Sequence, residues 1–227
     1  MLRGATWNAW VGQSEDDVLD QGGQLVRDTG MPAVVALQEV WRLGRPLPGY
    51  KRYAADGGHP ENASTQLHVR RGVKVLHEFY LRPGGPNWIG PKHGIVHPPR
   101  IFPGVTLKHG GEVWDVVAIH RVPGGPDARP EVNREAWRCE DRRLQSFADG
   151  RARRHPSRRL LLLADWNNGE ADRSPYSIRD LATRIGAEMG VIGVDGALAR
   201  GHDEPLEVKQ LVNRYGSDNH RPVVVDA

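Results

Sequence analysis

Short apolar runs recur along the chain, and each is closed by a polar residue. Ala5-Thr6-Trp7 leads to Asn8, and Val34-Val35-Ala36-Leu37 leads to Gln38-Glu39. Val116-Val117-Ala118-Ile119 leads to His120, and Leu160-Leu161-Leu162-Leu163-Ala164 leads to Asp165-Trp166-Asn167. Near the end, Ser217-Asp218-Asn219-His220 stands just before Pro222-Val223-Val224-Val225. Runs of this length, rich in Val, Ile and Leu, read as buried strands. A strand leaving the core delivers one polar side chain to the rim of its sheet.

The remaining pattern fills in the order of elements. Residues 2–8 form the first strand. Ser14-Glu15-Asp16-Asp17 caps a helix running to about Thr29, which Gly22-Gly23 weakens. Residues 33–39, 50–54, 65–70 and 73–80 read as strands, the last two joined by a tight turn at Arg71-Gly72. The Pro- and Gly-rich stretch 82–103 reads as a long loop. Strands 105–108 and 113–120 pair through His109-Gly110-Gly111. A helix over 130–150, a strand over 159–164, a helix over 177–189 and strands near 191–199 and 222–226 complete the series. Hairpins come first, and strands alternating with helices come later. That order fits an α/β sandwich better than a purely parallel sheet.

Composition narrows the class. The 227 residues are enough for a single domain, 1–227, with a sizeable core. A hydrophobic content of 38% and a mean hydropathy of -0.56 indicate a soluble protein, and no apolar run reaches the length of a membrane span. No secretory signal is visible at the start, and Cys139 is the single cysteine, so an intramolecular disulfide is impossible. A cytoplasmic monomer is the expectation. The net charge of +3 is carried mostly by Arg, which suits bidentate phosphate contact but by itself points only weakly to nucleic acid.

The strand-ending residues carry the candidate chemistry. Carboxylates, carboxamides and imidazoles converging on one pocket suit a hard cation plus general acid/base work on a phosphate. Glu39, at a buried strand end, is costly unless paired or bound to a cation. Asp165 and Asn167, two apart on an extended segment, face the same side. Asp195 and His220 read as a dyad in which the carboxylate fixes the imidazole tautomer, although Val194-Asp195-Gly196 is equally a turn signal. Arg100, after Pro98-Pro99, is placed to clamp a phosphate from the long loop. His93 and His97 read as surface residues of that loop. The basic run 151–159 precedes the Asp165 strand, so it lies about 15–20 Å from the site as a solvated loop.

In residue type and order, these pieces resemble the endonuclease/exonuclease/phosphatase (deoxyribonuclease-I-like) superfamily. The match includes an Asn-bearing first strand, Gln38-Glu39, strand-end His120, Asp165-Trp166-Asn167, Ile192-Gly193-Val194-Asp195 and the Ser217–His220 block, and it spans most of the chain. The resemblance implies an α/β fold, a four-layer α/β/β/α sandwich of two packed mixed sheets with helices on both outer faces. It implies a Mg²⁺-dependent phosphodiester hydrolase, with Mn²⁺ as the alternative ion. Glu39 would be the principal metal ligand, with Asn8 and Asp218 beside it. His120, Asp165, Asn167, Asp195 and His220 would be catalytic, Asn167 also donating to phosphate oxygen. DNA or RNA is the expected substrate. A small or lipid phosphoester, or a non-catalytic binding role, is the alternative. One departure stands out: the family has Asp immediately before the last His, and here Asn219 intervenes. Either a bulge returns Asp218 to the site or Asn219 replaces it.

Overall fold

The computed structural model describes the chain apart from residues 10–12, 41–42, 56–63, 91–93, 170 and 212–219. In chain order its elements are β1 (Arg3–Asn8), α1 (Glu15–Asp28), β2 (Val34–Gln38), β3 (Tyr50–Ala54), β4 (Gln66–Arg70), β5 (Lys74–Leu81), β6 (Trp88–Ile89) and β7 (Val96–His97). There follow β8 (Phe102–His109), β9 (Glu112–His120), α2 (Glu131–Arg154), β10 (Arg159–Asp165), α3 (Ile178–Ile185), β11 (Glu188–Ile192), β12 (Asp195–Arg200), β13 (Glu207–Gln210) and β14 (Val223–Asp226). One six-stranded sheet runs β13-β14-β1-β2-β4-β3 and the other β11-β12-β10-β9-β8-β5, while β6 and β7 form a small ribbon.

Period-2 alternation sorts each strand between two cores. Val34 and Ala36 of β2 face inward with Leu161 and Leu163 of β10, Val116 and Ala118 of β9 and Ala197 and Ala199 of β12. The alternate residues of the first sheet, Ala5, Trp7, Val35 and Leu37, pack under α1 with Val18, Leu25 and Val26. Those of the second sheet, Val117, Ile119, Leu160 and Leu162, pack under α2 and α3 with Leu144, Ala148, Leu181 and Ile185. The result is the four-layer α/β/β/α sandwich expected from the resemblance. Each fully buried Val or Leu contributes about 1.5–3 kcal/mol, so these three clusters can carry a polar site at one end.

Local signals explain most boundaries. Ser14 and Asp17 close a reciprocal capping box on α1. The glycines 22 and 23 do not break this helix. A Cβ on Gly22 would run into Leu47, so that glycine lets the segment after β2 pack closely on α1. Gly110 and Gly111, both with positive φ, close the β8–β9 hairpin.

Several expectations are corrected. The turn at Arg71-Gly72 does not close a hairpin. β4 pairs with β2 and β3, whereas β5 pairs with β8, so the turn carries the chain from one sheet to the other. The expected loop 82–103 contains the β6–β7 ribbon, held by stacking of Trp88 on His97 and by Asn133 bonding both the N–H and the carbonyl of Ile89. Helix α3 ends at left-handed Gly186, so Met189 belongs to a strand. The single strand expected near 191–199 is two, β11 and β12, paired as a hairpin. The run 151–159 is only in part a solvated loop. Residues 151–154 finish α2, Arg151 and Arg158 pair with buried Asp115, and Arg159 pairs with Glu112 and Asp203. Strand β13 was not anticipated. His93 lies outside the described residues.

Candidate active site

The inward-facing rows of the strands run out of apolar residues at the same edge. Leu161 and Leu163 are followed by Asp165, Val116 and Ala118 by His120, Ala199 and Ala197 by Asp195, and Thr6 by Asn8. Asp165 stands directly opposite His120 across the parallel β9–β10 pair and opposite Asp195 across the antiparallel β10–β12 pair. Three site residues therefore share one rung of the second sheet. Asn8 comes from the first sheet, and its Nδ2 donates to Asp165 Oδ2 at 2.9 Å. The site is the open end of the core between the sheets.

Glu39 reaches this edge by a backbone device. Continued alternation would put it on the α1 side with Val35 and Leu37. Its φ of 60° breaks the strand in the left-handed region and turns it away from that course. Its Oε1 lies 3.8 Å from His120 Nε2, and its side chain is 30% exposed. The segment after it is clamped by Gln66, whose Nε2 donates to the carbonyls of Val40 (3.1 Å) and Leu43 (2.9 Å). Asn167, at φ 50°, makes a similar turn after Asp165. Its backbone N–H donates to Asp165 Oδ1 at 2.9 Å, while its Nδ2 donates to the carbonyl of Arg121 at 2.8 Å.

His220 Nδ1 lies 3.0 Å from Asp195 Oδ2 and 3.8 Å from Asp165 Oδ2. Burial opposes its charge, but the bond to Asp195 and the charges of Asp165, Asp195 and Glu39 outweigh it and raise the imidazole to about 9. Asp165 is pushed up to about 7, first by burial and then by Asp195. Asp195 is raised by burial as well. His120 behaves oppositely. Burial, aided by the charges of Arg100 and His220, holds it well below its ordinary value, so it is neutral near pH 7. Among the described residues neither of its ring nitrogens has a hydrogen-bond partner, nor has Asp195 Oδ1.

The structure thus brings together Asn8, Glu39, His120, Asp165, Asn167, Asp195 and His220. Asp218 and Asn219 lie outside the described residues. Arg100 sits deeper than a clamp on a loop surface. It is buried, stacks over Trp88, and donates through Nη1 to the carbonyls of His120 (3.1 Å) and Arg121. Asp165, Asp195 and His220 form a group whose ligating atoms all lie within 4.8 Å of one another, close enough to hold a metal ion. Sequence reasoning missed Arg121 and Gln66. Both are fully buried polar residues that look like ordinary surface positions in the sequence.

No protein-family model matches the sequence. No curated protein matches it either. Solved structures do. An endonuclease/exonuclease/phosphatase from Bacteroides vulgatus superposes with a TM-score of 0.65 at 14% identity, covering 99% of this chain and 97% of that one. The human Nocturnin catalytic domain with bound sulfate gives 0.64 at 13% identity over 99% and 93%. A beta toxin from Staphylococcus aureus gives 0.68 at 8% identity over 100% of both chains. The chain has the endonuclease/exonuclease/phosphatase fold, as its motif order implies.

Proposed function

We propose that this protein is a divalent-metal-dependent phosphodiester hydrolase acting on DNA or RNA. The observation that carries the reading is the rung Asp195–Asp165–His120 closed by His220: a carboxylate near neutrality, a charged imidazole and a neutral, unbonded imidazole at one open edge. That set supplies a base, a cationic donor and a neutral donor to one tetrahedral anion. Sulfate bound to a domain of the same fold is consistent with an oxyanion site.

Three carboxylates, Glu39, Asp165 and Asp195, face one imidazolium, with Arg100 behind the His120 carbonyl. The clustered carboxylates suit a cation. The Asp165–Asp195–His220 trio, with ligating atoms within 4.8 Å of one another, is one place that could hold it. The family resemblance makes Glu39 and Asn8 the preferred holders of Mg²⁺ or Mn²⁺, with Asp218 as a further candidate. When bound, the ion would neutralise charge developing on phosphoryl oxygens.

The chain's own groups divide the remaining work. Asp165, half ionised near pH 7 and oriented by Asn8 and by the N–H of Asn167, accepts the proton of the attacking water. His220, held charged by Asp195, gives its Nε2 proton to the leaving oxygen as the P–O bond to it breaks. His120, neutral, donates one ring N–H to an oxygen that stays on phosphorus. Asn167 shapes the turn and is the further candidate for phosphate contact, and Arg100 supports the backbone under His120.

The test is cleavage of plasmid, single-stranded DNA, RNA and a chromogenic phosphodiester with Mg²⁺, with EDTA and His220→Ala as controls. Metal-dependent polynucleotide cleavage lost in the variant supports the reading. Cleavage of the small ester alone redirects it to small or lipid phosphoesters. Silence on every substrate overturns it.

A further inference from the structure

We infer that Arg121 is a positioning residue for this site, acting from the buried side of the sheet, an inference that rests on the phosphoesterase reading. Arg121 follows His120 and is completely buried, a costly place for a guanidinium unless the charge is matched. The match comes from α2. The guanidinium lies over the Trp137 ring, 3.4 Å from its centroid, and Nη2 donates to the Trp137 carbonyl at 2.9 Å. Glu140 and Asp141 stand at ion-pair distance, 3.6 and 3.8 Å. Asp141 is held from its other side by Arg184 at 2.6 Å, and Arg184 by Asp180 at 3.0 Å. Glu140 also accepts from the N–H of Val122 at 3.1 Å.

The main chain of the same residue meets the site. The Arg121 N–H donates to the Asp165 carbonyl at 3.1 Å. Its carbonyl accepts from Asn167 Nδ2 at 2.8 Å and from Arg100 Nη1. The main chain of Arg121, N–H and carbonyl together, therefore links the imidazole strand to the Asp165–Asn167 turn, and the side chain bolts that junction to α2. Arg121 touches no reacting atom. It sets where His120, Asp165 and Asn167 stand relative to one another. Lysine cannot replace it, because a single ammonium cannot lie flat on Trp137, donate to its carbonyl and stand at ion-pair distance from both carboxylates at once.

The test is Arg121→Lys. Misplacing a site by about 1 Å can cost on the order of 100-fold, so kcat on the best polynucleotide substrate is expected to fall by about 10- to 100-fold with KM within about twofold. Combined with Asn167→Ala, the loss should be clearly less than the product of the two single losses. On ¹⁵N-histidine protein, the ring signals of His120 should move while those of His68, buried in the other sheet, stay. Should Arg121→Lys fail to fold, Glu140→Gln keeps the shape and should give the same pattern more weakly. Wild-type kcat in the folded variant, strictly multiplicative losses, or unmoved His120 signals would overturn the inference. Inactive wild-type protein would instead defeat the phosphoesterase reading, and the histidine signals would still decide the positioning role.

Discussion

The imidazole of His220 is shared between two carboxylates, 3.0 Å from Asp195 and 3.8 Å from Asp165, which are themselves directly paired across β10 and β12. His220 titrates at about 9 in the fold against an ordinary 6.5. A raised folded value stabilises the fold fully below the unfolded value, and the contribution is lost as pH rises through the folded one. Replacing His220 with Gln should therefore destabilise the fold most below about pH 6.5, by on the order of 1–3 kcal/mol, with a matching fall in melting temperature. The gap should close as the pH passes about 9. Thermal melts of both proteins between pH 6 and 10 check this, and a pH-independent gap would contradict it.

Asn8 is a bond between sheets as well as a site residue, since its Nδ2 reaches Asp165 on the opposite sheet. In Asn8→Ala a buried carboxylate loses its charge-assisted donor, at a cost of about 1.5–3 kcal/mol. Urea unfolding should show a lower midpoint with an unchanged slope. A shift below about 0.5 kcal/mol would mean that the bond is replaced by water.

Glu39→Gln should weaken Mg²⁺ binding, with activity partly recovered at high Mg²⁺. Gln66→Ala should act in the same direction more weakly, because Gln66 holds the carbonyls of Val40 and Leu43 just beyond Glu39. Isothermal titration with Mg²⁺ measures both. Wild-type affinity in Glu39→Gln would remove Glu39 from the cation site.

Gly196 follows Asp195 where β12 passes close to β11. A Cβ there would press on the Gly190 carbonyl and come within 2.7 Å of Val191 Cα. Gly196→Ala should part the two strands, lower stability by about 1–3 kcal/mol, and displace Asp195 from His220. Its activity should fall further than a stability loss of that size explains. Equal activity per folded molecule would separate the strand contact from the site.

The convergence of the candidate site positions was legible because strands alternate. An inward row of apolar residues ending in Asp, His or Asn announces a rim residue, and Asn8, His120 and Asp165 follow that rule. Glu39 does not follow it, since alternation places it on the wrong face and only a left-handed residue corrects that. The turn at Arg71-Gly72 misled because a tight turn between two strands is locally identical whether they pair or part. The Arg121–Glu140–Asp141 group stayed hidden because charge in a sequence reads as surface, and only packing shows where a fork stacked on tryptophan lies buried. The basic run 151–159 failed in part for the same reason in reverse: Asp115, deep in a strand, draws Arg151 and Arg158 inward.

The β8–β9 hairpin at His109-Gly110-Gly111 lies at the end of β9 remote from His120. Opening the chain there would leave Asn8 and Glu39 on one piece and His120, Asp165, Asp195 and His220 on the other. Each piece would also lack strands of both sheets, because β1–β4 need β13 and β14 while β9–β12 need β5 and β8. Neither half would hold the whole candidate site. Fused to partners that meet, the halves would make the proposed activity conditional, its two inputs read by one reassembled core.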